Sequence, residues 1–164
     1  MTDSTAPAIR PADGSDLPGL LELAAGVEHW FGPMVAEPGF HRAVRTHIDR
    51  GTALVAPAAG GALTGGLLFD PAGAPDRPHH VDWLVIAAPA RGTGVGRALM
   101  AAALDRFVRP PATVDVVTFG PDHPGAVSSG ARVFYERLGF VPGEAAAPGP
   151  EGGSRQLYRL RLTG

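Results

Sequence analysis

Residues 90–100 read ARGTGVGRALM, with glycine at positions 92, 94 and 96 and arginine at 91 and 97. An apolar stretch, WLVI at 83–86, precedes this run, and a helix-forming segment follows it. A strand, a glycine-rich turn and a helix N-terminus in that order make an anion site. The first N–H groups of a helix have no internal partner and the dipole is positive there, so a phosphate satisfies both. Glycine takes positive φ and lets the backbone approach a ligand closely. Two other phosphate loops do not fit. A P-loop needs Gly-Lys followed by Ser or Thr, and the chain has no lysine. The dinucleotide pattern GxGxxG, begun at Gly92, needs glycine where Arg97 stands.

Other residue types with chemical capacity are sparse. His79 and His80 are adjacent in a strand-like run, so their side chains point to opposite faces and cannot chelate one ion; no metal is expected. Trp30 and Phe31 fall at the end of a helical segment. Phe119, Asp122 and His123 lie in or beside TFGPDHPGAVSSG, at the end of a strand-like run. With no cysteine, disulfides, thiolate metal sites and cysteine nucleophiles are excluded; with no lysine, so is a Schiff-base lysine.

The bulk properties set the frame. The 164 residues suggest one domain over 1–164. Fourteen basic against sixteen acidic residues give a formal net charge of −2, which provides no field for nucleic acid or an anionic membrane. An anionic ligand must therefore be caught locally. No run approaches about 18 apolar residues, and MTDSTAPAIR lacks the basic start and apolar core of an export signal, so a cytoplasmic protein is expected.

The elements that would position these residues follow from periodicity. A short edge strand is expected at 8–10, then a helix in SDLPGLLELAAGVEHW capped by Ser15 or Asp16, then a second in PGFHRAVRTHIDR ended by Gly51. Runs at 52–57 and 62–69 around Gly60-Gly61 read as a hairpin. HHVDWLVIA reads as a strand with Val81, Trp83 and Val85 on one face and Asp82, Leu84 and Ile86 on the other. A helix follows the glycines, ATVDVVTF is a strand, and a short helix over 130–138 is capped by Ser128 or Ser129 and stopped by Gly139. FVPG resumes extended structure, AAAPGPEGG is a loop, and SRQLYRLRL is a last strand. The order β-α-α-β-β-β-α-β-α-β-β predicts an α/β (α+β) domain with a mixed sheet of about seven strands and about four helices.

Arg91-x-x-Gly94-x-Gly96, after the strand WLVI and before an amphipathic helix, resembles the acetyl-CoA pyrophosphate loop of the GNAT superfamily of N-acetyltransferases. ARVFYERLGF at 131–140 resembles that family's last helix and following strand, with its tyrosine at Tyr135. The resemblance runs from about residue 8 to 162 and is sharpest over 81–140. It implies that Leu84, Val85 and Ile86 pair with the pantetheine arm and that the backbone of Arg91, Gly92, Thr93, Gly94, Val95 and Gly96 holds the pyrophosphate. It implies Tyr135 as the acid for the departing thiolate. A strand N–H such as that of Ile86 would meet the acetyl oxygen.

Where relatives place a glutamate base near the start of this strand, His80 stands instead; Asp82, Asp122, His123 or a chain of waters are alternatives. Ser128 stands where many relatives have a cofactor-contacting asparagine. Trp30, Phe31 and Phe119 would wall the acceptor site. The resemblance thus implies acetyl transfer from acetyl-CoA to a primary amine of a small molecule or peptide, without metal, nucleic acid or membrane, and it allows a homodimer. A non-catalytic acyl-CoA-binding module and a protein N-terminal or side-chain acetyltransferase are the rival readings.

Overall fold

The computed structural model describes residues 7–149 and 151–163. The start of the chain, read above for an export signal, lies outside them, as does Pro150 in the loop before the last strand.

The chain opens with a two-residue strand, β1 (Arg10–Pro11). Asp16, one of the two expected caps, holds the N-cap position of the first helix but makes no side-chain cap bond there. Asp13 accepts from the Ser15 N–H and caps a 3-10 turn over Gly14–Asp16. Asp16 is drawn away to Arg10, whose guanidinium makes two bonds to it at 2.7 and 3.0 Å. That pairing holds the Asp16 carboxyl below the usual carboxylate range.

The first predicted helix is two helices. α1 (Leu17–Ala25) ends at Gly26, and α2 (Glu28–Phe31) starts after Val27 leaves helical backbone. α3 (Pro38–Arg50) stops at Gly51, where φ is 74°. β2 (Ala53–Pro57) and β3 (Leu63–Asp70) form the hairpin, and β4 (His79–Ile86) pairs antiparallel to β3. α4 (Val95–Phe107) precedes β5 (Ala112–Phe119). Two short helices follow, α5 (Gly125–Ser128) and α6 (Ala131–Arg137), then the hairpin β6 (Val141–Ala146) and β7 (Arg155–Leu162).

The seven strands form one mixed sheet in the order β1-β2-β3-β4-β5-β7-β6, in which only β4 and β5 are parallel. The α/β architecture is as expected; the helix count is higher because the first helix breaks in two and a short helix precedes α6.

Each face of the sheet carries its own core. Leu54, Leu67, Leu99, Met100, Val116 and Tyr135 pack on the face covered by α4 and α6. Leu20, Leu23, Val44, Val55, Leu68 and Val85 pack on the face covered by α1 and α3. Burying a side chain of this size contributes about 1.5–3 kcal/mol each. On β3, a Cβ at Gly65 would lie 2.9 Å from both Val95 and Leu99, so that position lets the first turns of α4 press against the sheet.

The predicted faces of β4 need correction. Phe69 pairs with Val81 and Leu68 with Trp83, so Asp82 is the extra residue of a bulge. Val81 joins the α4 face with Leu84 and Ile86, whereas Trp83 and Val85 join the α1 face. Strict alternation, as read from the sequence, misses the extra residue.

Candidate active site

Parallel pairing between β4 and β5 covers only His79–Val81 opposite Val114–Val116. Beyond it the two strands part, starting at the Asp82 bulge. Ala87 donates its N–H across to Thr64 on the β3 side. Strand amides alternate in direction, so Ile86 presents its N–H and C=O to the opened edge. Arg91 Nε donates to that Ile86 carbonyl at 3.2 Å.

A cleft of about 710 Å³ fills the gap. It is lined from both faces of the sheet: Leu84, Ile86, Phe134 and Tyr135 on one side, Val27, Trp30, Phe31 and Val85 on the other.

The glycine loop borders the first side. Ala88–Ala90 form one 3-10 turn, Arg91 is extended, and Gly92 and Gly94 have φ of 76° and 93°. The Thr93 hydroxyl donates to the Ala90 carbonyl, and Gly94 stands at the N-terminus of α4. A Cβ on Gly92 or Gly94 would meet nothing within 4 Å. These two glycines are thus required by backbone conformation, and the space over them is open to a ligand. Gly96 differs: a Cβ there would lie 3.0 Å from Phe134, so its role is to let α4 pack against α6. All but Thr93 of the six loop residues line the cleft. Arg97 and Arg137, not singled out in the sequence, line it too and add positive charge.

Tyr135 projects from α6 into the cleft wall and is 6% exposed. Burial pushes its hydroxyl pKa well above the ordinary tyrosine value, so it stays protonated. Its ring packs edge-on to Phe134 and Phe140, with centroids 5.1 and 5.5 Å away.

On the opposite side Phe31 stacks on Phe119 at 4.6 Å, and Trp30 meets Phe119 edge-on at 6.3 Å. The Arg91 guanidinium lies over Trp30, 4.8 Å from its centroid. His123 packs at a tilt against Phe119, with centroids 4.5 Å apart, and bonds to Glu151, while Asp122 is exposed; neither lines the cleft.

His80 and Asp82 are also outside the cleft lining. His80 lies in the paired stretch opposite Asp115. Asp82 turns to α3, where His47 Nε2 donates to it at 3.1 Å; this bond holds its carboxyl below the usual range. His47, missed in the sequence, is buried and steadied by Thr52 at 2.8 Å, with Asp70 at 3.9 Å from its Nε2. The signal available was a histidine three residues after Val44, on the inner face of α3. Ser128 is exposed and donates to the Pro124 carbonyl at 3.1 Å, whereas Ser129 lines the cleft and accepts from the Ala131 N–H at the start of α6.

Residues 49–142 match the family model described as an acetyltransferase (GNAT) domain. The chain belongs to the GNAT acetyltransferase family. Membership implies acetyl-CoA as the donor. No curated protein matches the chain in sequence. Solved GNAT-fold structures resemble it along its length. Ard1 from Thermoplasma volcanium is 16% identical, covering 98% of this chain and 100% of that one, with a TM-score of 0.75. A ribosomal-protein-alanine N-acetyltransferase from Brucella melitensis is 22% identical, covering 94% and 99%, with a TM-score of 0.67. A chain of the NatC complex bound to Gag peptide and CoA is 16% identical, covering 97% and 100%, with a TM-score of 0.74. At these identities the likeness is one of fold. No helix among the described residues is long and apolar enough to cross a membrane.

Proposed function

We propose that this GNAT protein transfers an acetyl group from acetyl-CoA to a primary amine, with Tyr135 as the acid. The observation that carries the reading is the cleft: one opening in the sheet joins a glycine-bordered helix start, a strand edge that has left its neighbouring strand and a buried phenol.

Acetyl-CoA supplies an activated acetyl thioester. The open, positive-φ backbone at Gly92 and Gly94 and the N-terminus of α4 suit its diphosphate, with Arg97 and Arg137 beside them. The edge of Leu84–Ile86 offers backbone partners to the pantetheine amides, and the Ile86 N–H is a donor for the acetyl oxygen as charge develops there. Tyr135 Oη keeps its proton at neutral pH and gives it to the leaving sulfur. Ser129, rather than Ser128, offers its hydroxyl at the start of α6.

For the amine's proton, a water chain through the gap is the better path. A good base has a pKa near the working pH. Asp82 is held below the carboxylate range and faces α3, and His80 sits where the strands are still paired. Asp82→Asn and His80→Gln should each keep turnover within about fivefold of the parent.

Thiol release from acetyl-CoA over an amine panel tests the reading. Amine-dependent release with an N-acetylated product by mass spectrometry is expected; binding of acetyl-CoA without transfer to any amine would favour a sensing module.

A further inference from the structure

The acceptor side of the cleft has a chemistry of its own. Its wall is Val27, Trp30, Phe31, Val85 and Phe119. We propose that the acceptor is a small primary amine carried on an aromatic ring; this rests on the acetyl-transfer reading above. Three observations converge on it.

The first is shape. Phe31 lies flat on Phe119, and Trp30 meets it edge-on. With Phe31 lying on Phe119 and guanidinium groups over Trp30 and Phe31, this wall offers a further ring its edges, the edge-to-face geometry that aromatic pairs favour.

The second is charge. Among the described residues, the charged side chains lining the cleft are Arg91, Arg97 and Arg137, and none is acidic. Two carboxylates near the aromatic wall are engaged elsewhere, and Asp122, in the loop after Phe119, is exposed and does not line the cleft. Glu28, beside Trp30 in α2, accepts from the N–H groups of Met34 and Val35, which hold its pKa down. Glu151 is bound to His123 and Arg155, at 3.2 Å each. Arg91 and Arg155 already lie over Trp30 and Phe31, at 4.8 and 5.5 Å. A polycationic acceptor would find neither a counter-ion nor a ring face free of guanidinium on these two residues. An amine with one nitrogen has one proton to shed on entry.

The third is access. Trp30 spans from Phe119, at the end of β5, to Arg91, in the loop after β4. α2 therefore crosses the gap on this face, which favours a small acceptor over an extended chain.

The test compares 2-phenylethylamine, spermidine, kanamycin and an alanine-led tetrapeptide as acceptors for the full chain, by thiol release and product mass. The kcat/KM for 2-phenylethylamine should exceed that for each other acceptor by about tenfold or more, the scale of one or two aromatic contacts. Phe119→Leu should reduce this preference to about threefold or less without moving the acetyl-CoA Kd beyond twofold. Faster turnover of spermidine, kanamycin or the peptide would overturn the acceptor class and leave acetyl transfer standing. An unchanged preference in a folded Phe119→Leu protein would also overturn it. No transfer to any of the four, with acetyl-CoA bound, would overturn the acetyl-transfer reading itself and the acceptor class with it.

Discussion

Tyr135 carries the chemical proposal at the residue scale. A phenol is a reasonable acid for a thiolate of similar basicity, and burial raises its pKa further. Tyr135→Phe keeps the ring packing on Phe134 and Phe140 and removes only the proton. It should lower kcat by about 100-fold, the low end for general acid catalysis, while the acetyl-CoA Kd stays within about threefold. Single-turnover kinetics with calorimetry separate the two. The pH dependence has a definite sign: an acid with a raised pKa keeps its proton to higher pH. The kcat of the parent should therefore show no alkaline loss due to this group below about pH 10. A fall between pH 7 and 9 that disappears in Tyr135→Phe would contradict the raised pKa and leave the acid role standing; an unchanged kcat in Tyr135→Phe would remove the acid role. The tyrosine was legible in the sequence through its motif, whereas the choice of Ser129 over Ser128 was not. Which of two adjacent serines faces the cleft depends on the short helix α5, and four residues leave little periodicity to read.

At the scale of elements, the three glycines divide their labour. Gly94→Asp places a carboxylate at the start of α4 and strains a φ of 93°, so acetyl-CoA affinity should fall tenfold or more by calorimetry. Gly96→Ala instead crowds Phe134 and should cost stability by about 1–3 kcal/mol, partly restored by Phe134→Leu. From the sequence all three glycines read as ligand-facing, because the partner of Gly96 lies 38 positions away on α6.

The β4 bulge was hidden for a similar reason. Its cause lies in pairing with β3 and in the His47 contact, neither of which leaves a mark on the strand's own alternation. That contact predicts a pH effect. Asp82 has a lowered pKa, so the stabilisation is present above its unfolded pKa of about 4 and is lost as pH falls through the folded value. Asp82 is 40% exposed, so solvent screening limits the effect to about 1 kcal/mol. Asp82→Asn should lower Tm by about 2–4 °C at pH 7, and the difference should shrink towards pH 3. A constant difference across that range would rule out the ionised Asp82 carboxylate as its cause.

For the whole molecule, the sheet is joined at its centre by three residue pairs between β4 and β5, and a ligand in the gap contacts both halves. Acetyl-CoA at 100 times its Kd should stabilise the fold by about 2.7 kcal/mol, raising Tm by about 5–10 °C in a scanning-fluorimetry titration. The succession of helices and strands along the chain was legible because each element carries its own period and its own stops, such as Gly51 after α3. The faces that meet across the gap were not, since they belong to residues far apart in sequence. The central claim is that main-chain amides between Arg91 and Gly96 hold the diphosphate of acetyl-CoA. A crystal structure of the protein with coenzyme A tests it most directly. Diphosphate oxygens within hydrogen-bond reach of those amides, with the sulfur beside Tyr135 and Ile86, is the predicted result. Coenzyme A bound on another face, or with its diphosphate away from this loop, would contradict it.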